Sequence, residues 1–114
     1  MDYLFVYGSL QPGGANEHEL APYNGTWAAG RVRGHLYQEG WGYQQGYPGL
    51  VLDPHGPSVP GYVFTSARLG ADWQTLDDFE GPEYERQLVS VTLESGEEIT
   101  AYVYALREDA RPKA

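Results

Sequence analysis

The chain has no cysteine, few basic residues and no long apolar run. The absence of cysteine excludes disulfides, thiolate nucleophiles and cysteine-ligated zinc. The sequence contains 7 Lys and Arg but 16 Asp and Glu, which gives a net charge of −9. This charge argues against nucleic acid or an anionic membrane as partner. No apolar stretch approaches the roughly 18 residues of a spanning helix. The first residues lack the pattern of a secretory signal, so we expect a cytoplasmic protein that binds no membrane.

Glycine and tyrosine are abundant instead, with 15 and 10 copies among 114 residues. A chain of this length is one domain with a single core, and 41% hydrophobic residues indicate a globular protein. We predict that the domain comprises residues 1–106. Residues 107–114 are charged and contain proline, which predicts a loose C-terminal tail.

Short apolar or alternating runs dominate the chain and predict strands. Gly30 and Gly34 interrupt one of these runs, and we interpret them as bulges. Residues 95–97 (Ser-Gly-Glu) predict a hairpin turn between the last two runs. Together with one or two short helices, the pattern indicates an α+β domain built on a closed or nearly closed sheet. The predicted strands cover residues 3–7, 27–37, 50–52, 59–65, 86–93 and 98–106.

One short helix, predicted over about residues 70–80, carries a carboxylate on its apolar face. At 100° per residue, Leu69, Trp73, Leu76 and Glu80 share one stripe, and Gly81 with the following proline ends the helix. An inward carboxylate must be paired, hydrogen-bonded or raised in pKa, and a raised pKa in a cleft marks a candidate functional group. Two alternatives stay open: the helix frays before Glu80, or Glu80 pairs with Arg86.

The turn after the first strand is the second candidate site. Tyr7 is followed by Gly8, Ser9 and Leu10, and a buried strand that opens into Gly-Ser exposes successive backbone N–H groups. Such a concavity binds an anion without a charged side chain. A simple tight turn is the alternative.

Other polar and aromatic groups point to no metal or cofactor. The histidines at 18, 35 and 55 are far apart and have no metal-ligand spacing. Residues 40–49 mix glycine, glutamine and aromatics, so we read them as a loop that either rims a pocket or caps the sheet.

Two motifs resemble the γ-glutamylcyclotransferase-like family, which includes γ-glutamylamine cyclotransferases, AIG2-like proteins and BtrG-like enzymes. They are Tyr-Gly-Ser-Leu at residues 7–10 and Leu-Asp-Asp-Phe-Glu-Gly at 76–81, followed by Tyr84 and Arg86. Residues 47–50, 61–64 and 101–104 resemble the family's middle and last strands, so the similarity covers nearly the whole chain in order.

The resemblance implies a small mixed β-barrel with one or two flanking short helices. It also implies cleavage of a γ-glutamyl amide by its own α-amine, which releases 5-oxoproline and a free amine without a cofactor. Glu80 matches the catalytic glutamate, here a general acid/base, and residues 7–10 match the loop that holds the γ-glutamyl group. Tyr84, Arg86 and Tyr104 are further candidates for the substrate pocket, although Arg86 could equally pair with a nearby carboxylate.

Two other functions compete with this one. A non-catalytic barrel that binds a sugar or carboxylate would use Glu80 only as an acceptor, and the pKa of Glu80 discriminates between the two. A two-carboxylate glycosidase ranks last because we expect Asp77 and Asp78 to point elsewhere on the helix. The sequence does not identify the amine that the reaction releases. A surface this charged suits a monomer or a weak homodimer.

Overall fold

The computed structural model describes residues 2–8, 10–14, 17–37, 49–81 and 84–107. Within these ranges there is one α-helix, α1 (Trp73–Glu80), and there are three 3-10 turns at Glu17–Glu19, Ala21–Tyr23 and Leu69–Ala71. The strands are β1 (Asp2–Val6), β2 (Thr26–Tyr37), β3 (Gly49–Leu52), β4 (Ser58–Ser66), β5 (Tyr84–Leu93) and β6 (Glu98–Leu106).

Five of these strands close into a mixed β-barrel. The sheet runs in the order β3-β2-β4-β1-β6-β5, and an additional β2–β5 pairing joins its ends. β1 and β6 are parallel, whereas the other neighbours are antiparallel. β3 pairs with the far half of β2, outside the ring. The predicted α+β class and the small mixed barrel are confirmed.

The two faces of β1 belong to two different apolar clusters. Phe5 packs with Val63 and Val103 in the cluster that fills the barrel. Leu4 and Val6 point to the opposite face, where the second cluster lies under the 3-10 turns and α1. β1 is therefore buried on both faces, as its uninterrupted apolar run predicts.

The predicted bulges at Gly30 and Gly34 are wrong. The β2–β4 register continues without a break through Gly30, and Gly34 pairs regularly with Leu52. Both glycines are instead positions of close approach. A Cβ at Gly30 would lie 3.0 Å from Val91 Cγ1, because β2 is flanked there by both β4 and β5. A Cβ at Gly34 would lie 2.5 Å from the Val51 carbonyl oxygen.

Several expectations fall on residues outside the described ranges: the aromatic loop at 40–47, the proline at 82 and the tail beyond Arg107. In the part of the chain that the structure describes, no helix is long and apolar enough to cross a membrane.

Candidate active site

The helix α1 presents Glu80 at its last position. The predicted stripe is confirmed in its burial, since Leu69 and Leu76 are buried and Trp73 and Glu80 are partly buried. Leu69 belongs to the preceding 3-10 turn, because the backbone of Asp72 (φ −125°, ψ 20°) separates that turn from the helix. Gly81 then ends α1 at φ 94°, and its N–H donates to the Asp77 carbonyl.

The carboxyl group of Glu80 is largely removed from solvent. Burial raises its pKa from the ordinary 4.5 to about 7. Among the described residues, no hydrogen bond or ion pair reaches this carboxyl group. Its charge acts on the hydroxyls of Tyr7 and Tyr104, so the three side chains share one environment.

Tyr7 and Tyr104 have hydroxyls that are already committed. The Tyr7 hydroxyl donates to the Tyr104 carbonyl at 2.5 Å and accepts from the Leu50 N–H at 3.2 Å. The Tyr104 hydroxyl donates to Asp77 Oδ1 at 2.6 Å. Burial is the main cause that raises the pKa of each tyrosine. Both therefore stay protonated at neutral pH and leave Glu80 as the group that titrates there.

Asp77 faces the barrel, which corrects the expectation that it points elsewhere on the helix. It lies one turn before Glu80, and residues three apart share a helix face. Arg86 Nε lies 3.2 Å from Asp77 Oδ1 in an ion pair, and Arg86 Nη2 donates to Oδ2 at 3.4 Å. The Arg86 guanidinium also lies 4.6 Å from the ring centre of Trp73 and 5.1 Å from that of Tyr102. Arg86 thus pairs with Asp77 rather than with Glu80.

The turn after β1 is tight, and two of its backbone N–H groups have no acceptor among the residues that the structure describes. The Gly8 carbonyl accepts from the Gln11 N–H at 3.1 Å and from Gln11 Nε2 at 3.2 Å. The backbone N–H groups of Gly8 and Leu10 meet no acceptor among the described residues. The Leu10 side chain is buried in the outer apolar cluster, whereas Ser9 lies outside the described ranges.

The structure thus brings together most of the predicted site residues. Besides burial, the nearby Tyr84 and Glu80 raise the pKa of Tyr7, and Glu80 contributes to the raised pKa of Tyr104. Sequence reasoning missed Asp77, although its three-residue spacing from Glu80 was the available signal. No group of three His, Cys, Asp or Glu within the described ranges could hold a metal ion. A separate groove of about 410 Å³ is lined by none of the predicted site residues; its walls are His18, Leu20, Ala21, Asn24, Gly25, Trp27 and Phe64.

Comparisons with known proteins agree with this architecture. Residues 4–114 match the protein family described as γ-glutamyl cyclotransferase, AIG2-like. No curated protein sequence matches the chain. The fold is similar to an AIG2-like protein from Mus musculus, with 25% identity over 96% of this chain and 82% of that one and a TM-score of 0.71. YkqA from Bacillus subtilis is 27% identical over 93% of this chain but only 36% of its own, with a TM-score of 0.71. A γ-glutamyl cyclotransferase, 20% identical over 93% of this chain and 66% of its own, shares the fold with a TM-score of 0.65.

Proposed function

Because the chain belongs to the γ-glutamyl cyclotransferase, AIG2-like family, we propose that it cleaves a γ-glutamyl amide through the substrate's own α-amine. The products are 5-oxoproline and a free amine. The observation that carries this proposal is the Glu80 carboxyl group, which is partly buried, unpaired among the described residues and raised to a pKa of about 7. A group with that pKa accepts and donates protons equally well at neutral pH.

The reaction needs a proton carrier and a fixed substrate shape. The α-nitrogen bonds to the δ-carbon, and the bond from that carbon to the leaving nitrogen breaks. Two protons leave the α-ammonium group and the departing nitrogen gains two, so the balance closes without an external acid. Glu80 takes the role of carrier. Ring closure is fast only if the γ-glutamyl chain is held curled, and for this reason the rest of the site serves to position it.

Backbone donors support a place for the substrate's charged groups. The Gly8 and Leu10 N–H groups have no acceptor among the described residues and would suit the α-carboxylate or the developing oxyanion. Tyr7, Tyr84 and Tyr104 remain candidates for the pocket wall. Arg86 has weaker support as a substrate contact, because Asp77 already holds its guanidinium.

The competing functions have less support. A barrel that only binds a ligand does not need Glu80 to titrate near neutrality, whereas general acid–base catalysis does. A glycosidase needs a second carboxyl group that is free to react. Asp77 is the nearest acid on the same face, and it is occupied by the Arg86 guanidinium and the Tyr104 hydroxyl.

The test is 5-oxoproline release from a panel of γ-glutamyl amides by wild type and by Glu80→Gln. We expect turnover by wild type, with the best substrate identifying the leaving amine, and at least a ~100-fold lower kcat for Glu80→Gln. Asp78→Asn is the matched control, because Asp78 lies exposed on the same helix and contacts Gln74. More than about a tenth of wild-type activity in Glu80→Gln would contradict the role of Glu80. No release from any amide by wild type would contradict the reaction.

A further inference from the structure

The helix that carries Glu80 is too short to hold itself in place. α1 has eight residues, and isolated helices of this length are unstable in water. Asp72 precedes it without a side-chain capping bond, and Phe79 in its last turn is 39% exposed. Contacts to the barrel must therefore fix the position of α1, and hence of the Glu80 carboxyl group.

The first turn and the last turn of α1 are attached separately. Trp73 Nε1 donates to Asp2 Oδ2 at 3.0 Å, which ties the first turn to the start of β1. Leu76 is buried in the middle. The last turn is tied through the Asp77 carboxylate, which accepts the Tyr104 hydroxyl from β6 and pairs with Arg86 from β5. We call Asp77, Arg86 and Tyr104 the clamp.

Two aromatic rings also hold the guanidinium of Arg86 in place. Its guanidinium lies within cation–π distance of both Trp73 and Tyr102, whose ring centres are 4.9 Å apart. A guanidinium held by two rings presents its planar donors in one orientation, unlike the rotating ammonium of a lysine. Towards Asp77 the guanidinium makes one long hydrogen bond from Nη2, while its buried Nε is at ion-pair distance but has no hydrogen-bond acceptor among the described residues, so the two rings orient Arg86 more than Asp77 does.

We infer that the clamp residues Asp77, Arg86 and Tyr104 are positioning residues, which hold the last turn of α1 so that Glu80 stays desolvated over the reaction site. This inference rests on the proposed function for its kinetic consequences. Its structural consequence, the placement of Glu80, stands independently.

Charges around Glu80 are consistent with this role. Tyr7 at the end of β1 and Tyr104 on β6 are uncharged at neutral pH, and Asp77 on the same helix is paired with Arg86 from β5. Tyr84, also on β5, contributes to the raised pKa of Tyr7. Desolvation is accordingly the cause that raises the pKa of Glu80. A change that loosens the last turn admits water and returns that pKa towards its ordinary value.

Two substitutions test the clamp without changing the net charge. Tyr104→Phe removes the hydroxyl that binds Asp77, and Arg86→Lys keeps the charge but loses the planar fork. The readouts are kcat and KM for the best γ-glutamyl amide and the pKa of Glu80 from ¹³C NMR titration of its carboxyl carbon. We expect kcat to fall about tenfold with KM within about twofold, and the pKa of Glu80 to fall by about one unit.

The matched controls are Tyr37→Phe and Arg31→Lys, which we expect to behave as wild type. Tyr37 and Arg31 are both exposed on β2 and contribute nothing to the clamp. If the clamp variants lose only thermal stability, while kcat and the pKa of Glu80 stay unchanged, the positioning role is overturned. A raised KM with unchanged kcat would make Arg86 a substrate contact and also overturn it. A higher pKa of Glu80 in Tyr104→Phe would do the same, because it would mean that the hydroxyl solvates Glu80.

The NMR titration separates this inference from the proposed function. If wild type releases no 5-oxoproline, the proposed function fails, yet the titration of Glu80 in the clamp variants still supports or overturns positioning. If wild type is active and the titration is unchanged in both variants, only the clamp inference fails.

Discussion

At the scale of single residues, Glu80 links function to a cost in stability. The folded state keeps its proton up to about pH 7, whereas the unfolded chain loses it near pH 4.5. Unfolding therefore releases a proton between these pH values, and the stability of the wild type falls as pH rises through that window. Above pH 7 the loss is complete. The proposed general acid/base thus destabilises the fold at the pH at which it would act.

Glu80→Gln should remove this pH dependence. One pKa unit corresponds to about 1.4 kcal/mol, and the partial exposure of Glu80 reduces the full effect to roughly 1–2 kcal/mol. We expect the free energy of unfolding of the variant, relative to that of wild type, to be larger by that amount at pH 8 than at pH 4, so that the variant gains stability at the higher pH. Urea titrations at both pH values measure it. Glu94→Gln, at an exposed hairpin position, is the control, and an equal difference at both pH values would contradict the prediction.

The sequence identifies Glu80 but not its surroundings. A carboxylate on an apolar helical stripe is visible from periodicity alone, because the stripe defines which way each side chain points. The partner of Arg86 was not predictable in the same way. Choosing between Glu80 and Asp77 depends on where β5 lies relative to α1, and local pattern does not contain that distance. The expectation that Asp77 points away from Glu80 is wrong because Asp77 lies three residues before Glu80, and residues three apart share a helix face.

At the scale of elements, the strands tolerate no added volume where they approach most closely. Gly61 in β4 faces the Val6 carbonyl, and a Cβ there would lie 2.6 Å from Phe5 Cζ. We expect Gly61→Ala to destabilise the protein by ~3 kcal/mol, because β1 must shift to accommodate the methyl group. Denaturant unfolding measures this loss.

Gly70→Ala is the corresponding control. Its added methyl would meet only the Asp2 carboxylate, whose Oδ2 lies 2.9 Å away and accepts the Trp73 Nε1 hydrogen bond. Because this side chain can move where the β1 backbone cannot, we expect a loss of about 1 kcal/mol, well below that of Gly61→Ala. Equal effects of the two substitutions would contradict the close-approach explanation of Gly61.

Element types follow from local pattern better than local irregularities do. Alternation in residues 86–93 and 98–106 predicts two strands. In the structure the first of them begins two residues earlier, at Tyr84, and the second has the predicted bounds. The same reasoning misread Gly30, because a glycine inside a strand signals either a bulge or a close neighbour. Only the pairing of β2 with both β4 and β5 decides between them.

At the scale of the whole molecule, the β2–β5 seam that closes the barrel has two registered pairs, as few as the parallel β1–β6 ladder. β2 meets β5 only at the pairs Gly30–Leu93 and Arg31–Thr92, whereas the β5–β6 ladder extends from Tyr84–Leu106 to Thr92–Glu98. Few cross-strand bonds and nearby strand ends lower the free energy of local opening.

We therefore expect backbone amides at the β2–β5 seam to exchange with solvent faster than the β1 amides that face β4. Native-state hydrogen exchange followed by NMR measures both sets in one sample. The internal reference is the set of β1 amides that face β4, because the β1–β4 ladder is continuous from Asp2–Ser66 to Val6–Tyr62. Seam amides as slow as this reference set would contradict the prediction.

The strand order itself is beyond local pattern. Composition and strand spacing predict a closed or nearly closed sheet, and the family resemblance predicts a mixed barrel. That β1 lies between β4 and β6, and runs parallel to β6, depends on packing between residues about a hundred positions apart. Hydrophobic periodicity reports only which face of a strand is buried, so it does not identify the strand's neighbours.

The place of β1 in the sheet has a consequence for biosynthesis. A ribosome releases β1 first, but its neighbour β6 emerges only after nearly all of the other elements. At ~5–20 residues per second, the nascent chain waits roughly 5–20 s with one edge of its most apolar strand unpaired. Leu4, Phe5 and Val6 therefore keep one strand edge accessible to chaperones and to neighbouring nascent chains while the intervening elements are translated, and the barrel closes only after β6 has left the exit tunnel.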